Sequence, residues 1–189
     1  MSKIKDNIIT TGLSGKLGEQ VIFRYWSGKT FLAKAPVANR RLIKSEIYER
    51  SKNRFREANE YAKSVMDNPE LKQIYKNKCK ERLNAYTRAV QDYLIAPSIE
   101  AIDLSNYTGE PDSFIRIHAT DDFEVNRVQV RIEDVNGRRI ETGFARQESD
   151  AYWWKFIVTE RNPYHKGGKV IVSASDLPGN ETRKEMFVV

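Results

Sequence analysis

Val128-Gln-Val-Arg-Ile-Glu133, the turn pair Asn136-Gly137, and Arg139-Ile-Glu-Thr-Gly-Phe144 decide the fold of this chain. Val128, Val130 and Ile132 recur with period two, with Gln129, Arg131 and Glu133 opposite them. That alternation belongs to a strand with one buried face. Asn-Gly is the strongest short hairpin signal, because both positions tolerate positive φ. Working outward, Ile115, Ile117 and Ala119 share one face of another strand. Trp153 to Val158, Val170 to Ala174, Arg183 to Val189 and Ile99 to Leu104 supply the rest. Seven short strands with turns at this spacing suit a β-sandwich of immunoglobulin-like type.

Upstream the period changes. Ile43, Ile47, Ser51, Phe55, Ala58, Ala62, Val65 and Met66 recur every three or four residues, placing one apolar stripe on a helix over 42–67. Asp67-Asn-Pro-Glu70 is a stop and restart: Asn68 caps, Pro69 fits the first turn, and Glu70 complements the positive helix end. The stripe Leu71, Ile74, Tyr75, Cys79, Leu83, Tyr86, Val90 and Tyr93 predicts one second helix running to Leu94. Together they form an antiparallel helical hairpin. Before them, Gln20 to Trp26 and Lys29 to Lys34 flank Ser27-Gly28 as a β-hairpin, preceded by a flexible opening, Gly12-Leu-Ser-Gly-Lys-Leu-Gly18. An isolated hairpin is marginal in water, so this one needs something to pack on. The fold class is α+β: an N-terminal β-hairpin and antiparallel helical hairpin, then an immunoglobulin-like sandwich.

Charge supports a division. Residues 1–95 carry 20 Lys+Arg against 10 Asp+Glu, whereas residues 96–189 carry 12 against 16. The sign changes where the periodicity changes, beside Pro97, which sets expected domains at 1–96 and 97–189. No apolar stretch approaches the ~20 residues that span a bilayer, and no Sec-type signal peptide is visible at the N-terminus. The expectation is a soluble protein, cytoplasmic or part of a particle. The one cysteine, Cys79, excludes an internal disulfide.

Ala119-Thr-Asp-Asp-Phe-Glu-Val125, the strand and turn that follow it, and Ser173-Ala-Ser-Asp-Leu-Pro-Gly-Asn-Glu-Thr182 resemble bacterial immunoglobulin-like and fibronectin-like repeats. The segment Gly12–Pro36 is similar to the openings of uncharacterised bacterial proteins, with no activity to carry across. The resemblance implies a module that binds, spaces or decorates, on cell surfaces, phage particles or secretion machines.

No catalytic constellation is visible. Gly28-Lys29-Thr30 ends like a phosphate-binding loop, but Phe23 stands where the loop requires glycine. His118 and His165 lie in the sandwich, away from Cys79 on its helix, so neither a nucleophile–base pair nor a zinc ligand set is expected. Asp121, Asp122 and Asp176 have the chemistry for calcium, yet no full calcium-loop spacing surrounds them, and turn capping is the preferred reading. Trp153 and Trp154 point to opposite faces of one strand; one should enter the core and the other could present a platform to a carbohydrate or surface ligand.

The expected function is therefore non-enzymatic, without cofactor or small-molecule substrate: a structural or adaptor protein of a bacterial or phage assembly, acting through protein–protein contacts that include self-association. Arg24, Trp26, Lys29, Arg40 and Arg41 are the expected partner-facing residues. The principal alternative is nucleic-acid binding by the basic half, whose phosphate-neutralising lysines and arginines are interleaved with glutamates.

Overall fold

A computed structural model describes residues 2–4, 10, 12–36, 46–79 and 83–189. The chain divides into two compact units, Met1–Ser45 and Glu46–Val189. In the first, β1 (Ser2–Ile4), β2 (Gly15–Leu17), β3 (Val21–Trp26) and β4 (Lys29–Lys34) form an antiparallel sheet in the order β1-β4-β3-β2. The expected β3–β4 hairpin is present, and its turn residues Ser27 and Gly28 both take positive φ, 52° and 73°. Two positive-φ residues match the right-handed twist of the flanking strands. The glycine-rich opening was read as flexible, yet part of it is strand β2.

The second unit begins with three helices: α1 (Glu46–Asp67), α2 (Pro69–Asn77) and α3 (Ala85–Leu94). The stop and restart at Asn68 occurs as anticipated, its side chain accepting from the amides of Glu70 and Leu71. The single helix expected to run to Leu94 is instead two. α2 ends at Asn77, and α3 restarts under a second cap, with the Asn84 side chain accepting the Thr87 amide at 2.8 Å. Capping of orphan amides outweighed an apolar period that stays in phase through the break. Ala58, Ala62 and Val65 of α1, Tyr75 of α2, and Ala85, Ala89 and Val90 of α3 are buried together. Small side chains at these positions let the helix axes approach.

Eight strands follow: β5 (Ser98–Asp103), β6 (Phe114–Thr120), β7 (Arg127–Glu133), β8 (Arg139–Phe144), β9 (Arg146–Gln147), β10 (Trp153–Ile157), β11 (Lys169–Ser175) and β12 (Glu181–Phe187). They form two antiparallel sheets, β5-β6-β10-β9 and β12-β11-β7-β8. Ile115, Ile117 and Ala119 of one sheet share a buried cluster with Val128, Val130, Ile132, Val170, Val172 and Ala174 of the other, closed by Trp154 and Phe156. Each fully buried Val or Ile stabilises the fold by about 1.5–3 kcal/mol. The protein is thus mixed α+β and mostly sheet. Among the described residues no helix is long and apolar enough to cross a membrane.

The helices belong with these sheets, in one unit, and not with the N-terminal strands. Phe123, between β6 and β7, stacks on Tyr75 with ring centroids 4.6 Å apart, and Leu177, between β11 and β12, packs on the same helical cluster. Asn180 donates its side-chain amide to the carbonyls of Asp92 (3.3 Å) and Tyr93 (3.1 Å), satisfying the end of α3.

Candidate functional site

The N-terminal sheet has apolar side chains on both faces. By strand alternation and the β3–β4 register, Ile22, Arg24, Trp26, Lys29, Phe31 and Ala33 occupy one face. Val21, Phe23, Tyr25, Thr30, Leu32 and Lys34 occupy the other. Among the described residues of this unit only Thr30 and Ala35 are buried, and neither buried apolar cluster of the chain draws on it. Trp26 is 62% exposed, Leu17 66% and Tyr25 51%. Of the five residues read as partner-facing, Arg24, Trp26 and Lys29 come together on one face and are exposed; Arg40 and Arg41 lie outside the described residues.

The tryptophan pair separates as alternation requires. Trp154 is in the sandwich core and presents no face to a ligand. Trp153 is half-buried on the outward face, with the Arg116 guanidinium 4.7 Å above its ring and the His118 ring 4.9 Å away. Arg116 is in turn fixed by Glu148 at 2.6 Å. Lys155, the ladder partner of Arg116, lies 4.0 Å over Phe114 diagonally across the same two strands. These cation–π contacts cover the aromatic faces from within the protein.

A third arrangement lies where the helices meet the sandwich. Asp121 and Asp122 follow β6, Asp176 follows β11, and Asp92 reaches them from α3. Asp92 is wholly buried. Its Oδ2 accepts from the Tyr75 hydroxyl, which is 2.9 Å from the Tyr61 hydroxyl, so all three helices contribute to one polar chain. Burial pushes the Asp92 carboxyl up to about 7; the Tyr75 hydrogen bond opposes this, while the charges of Asp121, Asp176 and Asp122 reinforce it. Burial also raises Asp122, against the pull of Arg88, and raises Asp176. Arg88 donates to Asp122 Oδ2 at 2.9 Å and to the Asp122 carbonyl.

Turn capping accounts for part of this group. Asp176 Oδ1 accepts the amides of Gly179 and Asn180, and its Oδ2 accepts the Asn180 side chain at 2.6 Å, so both oxygens are engaged. Asp121 Oδ2 caps the amides of Phe123 (3.2 Å) and Glu124 (2.9 Å). Asp121 Oδ1 and Asp92 Oδ1 are buried without a hydrogen-bond partner. Asp92 escaped the sequence reading, although one signal was available: it continues the buried i, i+4, i+7 stripe of Ala85 and Ala89. No protein-family model matches the chain, and no curated protein matches it.

Proposed function

We propose that this is a non-enzymatic structural or adaptor protein of a bacterial or phage assembly that works through protein–protein contacts, with the sheet β1–β4 as its contact surface. The observation that carries the reading is a sheet with apolar residues on both faces in which, among the described residues, only Thr30 is buried. A sheet gains stability by covering its apolar face, and an exposed aromatic patch rimmed by charge is the usual form of an interface. Trp26 flanked by Arg24 and Lys29 combines the residue types that dominate binding energy with the charge that steers encounter.

The immunoglobulin-like reading of the two large sheets belongs to the same proposal. Lettered in chain order, with β8 as the added strand C′, the sheets run A-B-E-D and G-F-C-C′. This strand order supports an immunoglobulin constant-type layout with one extra strand. Such a sandwich serves as a rigid carrier for an interaction element.

The occupant assigned to the N-terminal sheet is a second copy of the chain. The first 95 residues are net basic and the remainder net acidic, a layout that favours head-to-tail contact between copies. Light scattering behind a sizing column, over a concentration series at low and moderate salt, tests this. A mass that rises with concentration and falls with salt supports it; a strict monomer under every condition overturns self-association.

A further inference from the structure

We propose that Asp92, Asp121 and Asp122 form a binding site for a hard divalent cation of calcium size, which clips α3 to the segment between β6 and β7. The inference is independent of the contact assigned to the N-terminal sheet. Each of the three carboxylates offers an oxygen, and these oxygens lie within 4.8 Å of one another. Calcium–oxygen distances of 2.3–2.6 Å place ligand oxygens on opposite sides of the ion at most about 5 Å apart, so one coordination sphere can take all three.

Two unsatisfied oxygens point to a ligand. Asp92 is 0% exposed and its Oδ1 has no partner; Asp121 Oδ1 is likewise buried and unpartnered. A buried carboxylate oxygen without a donor is costly, and a cation bound by this group would satisfy both unpartnered oxygens. Meanwhile the second oxygen of each is anchored, Asp92 Oδ2 by Tyr75 and Asp121 Oδ2 by two backbone amides. Such bonds hold ligating carboxylates in place. Arg88 engages Asp122 through Oδ2 and gives the cluster one positive charge against three carboxylates. Asp176, with both oxygens engaged, stands outside the ligand set.

Oxygen donors without nitrogen or sulfur select a hard cation, and irregular ligands from a helix and a loop suit calcium better than the strict octahedron of magnesium. Exposure rises from Asp92 through Asp121 to Asp122, and Asp121 and Asp122, with Lys78 paired to Glu124, line a concavity of about 310 Å³ open to solvent. Water completes the coordination sphere.

The test uses the full chain, stripped with chelator and titrated at neutral pH with calcium chloride, then with magnesium chloride. Calorimetry reads stoichiometry, and thermal unfolding reads stabilisation. One calcium per chain, with a rising unfolding temperature and a weaker response to magnesium, is the expected result. Asp121→Asn keeps an oxygen for the two amides it caps, and should weaken calcium binding by more than about tenfold. Glu160→Gln, which removes an exposed acid beyond the Ile157 end of β10, far along β6 from Asp121, should leave binding unchanged. Absence of heat and of stabilisation into the millimolar range overturns the proposal, as does an undiminished response in folded Asp121→Asn.

Discussion

Asp92 shows what one buried carboxylate does to the energetics of this fold. Tyr75 and Tyr61 approach it from α2 and α1, Asp121 and Asp122 from the segment after β6, and Asp176 with Asn180 from the β11–β12 connection. Its carboxyl is raised from 3.8 to about 7. Between those values the folded chain holds a proton that the unfolded chain has released. The stability contributed by Asp92 is therefore fully present below 3.8 and is lost as pH rises through about 7. In chelator-containing buffer, Asp92→Asn keeps an acceptor for Tyr75 and removes the titrating charge. Its unfolding temperature should exceed that of the parent by the most at pH ~8, and the gap should narrow steadily as pH falls toward ~4; parallel pH profiles for the two proteins would contradict this. Gly109 gives a second residue-level expectation. Its φ is +78°, and an added Cβ would meet the Asn162 carbonyl and the His165 ring, so Gly109→Ala should cost roughly 1–3 kcal/mol in urea unfolding. A cost near zero would refute that reading. The sequence offers Asp121 and Asp122, with Asp176, as calcium candidates but not Asp92: the stripe Ala85, Ala89, Asp92 is visible, yet its meeting with Asp121 and Asp122 is a long-range contact that periodicity does not encode, and the close approach at Gly109 is equally non-local.

At the scale of elements, local chemistry was legible wherever it decides the outcome locally. The hairpin turns at Ser27-Gly28 and Asn136-Gly137 sit where glycine takes positive φ, and the seven strands read from period two are all present. The two-residue β9 and the three-residue β1 and β2 are too short for any period to register. The divided helix is more instructive. Leu83, Tyr86, Val90 and Tyr93 keep helical spacing from Leu71, Ile74 and Tyr75, so the apolar stripe cannot report where α2 ends, whereas the cap residue Asn84 can. The caps carry a measurable share of helix stability. Asn68→Ala, which strips an acceptor from two amides, should cost about 1 kcal/mol, read as a lowered denaturation midpoint at unchanged slope. An unchanged midpoint would mean that Pro69 and tertiary packing alone set the start of α2.

For the whole molecule, net charge and packing divide the chain in different places. Charge changes sign beside Pro97, but the compact units meet at Ser45 and Glu46. Charge reports the solvated surface, while the stacking of Tyr75 on Phe123 and the Asn180 bonds to α3 report burial, which joins the helices to the sandwich. The sequence does convey that the β3–β4 hairpin needs something to pack on, and among the described residues of that unit only Thr30 and Ala35 are buried. Replacing Trp26, 62% exposed, by serine should leave the fold of Glu46–Val189 intact, with unchanged far-ultraviolet dichroism, and should weaken association by more than about tenfold if the indole is a central anchor. The central claim is that residues 15–34 are completed by another copy of the chain. Hydrogen exchange of the backbone amides of β2, β3 and β4, measured from dilute to concentrated protein, tests it most directly. The account predicts that protection of Val21–Trp26 and Lys29–Lys34 rises with protein concentration, while that of Lys169–Ser175 in the sandwich stays constant. Full, concentration-independent protection of the N-terminal strands would contradict it.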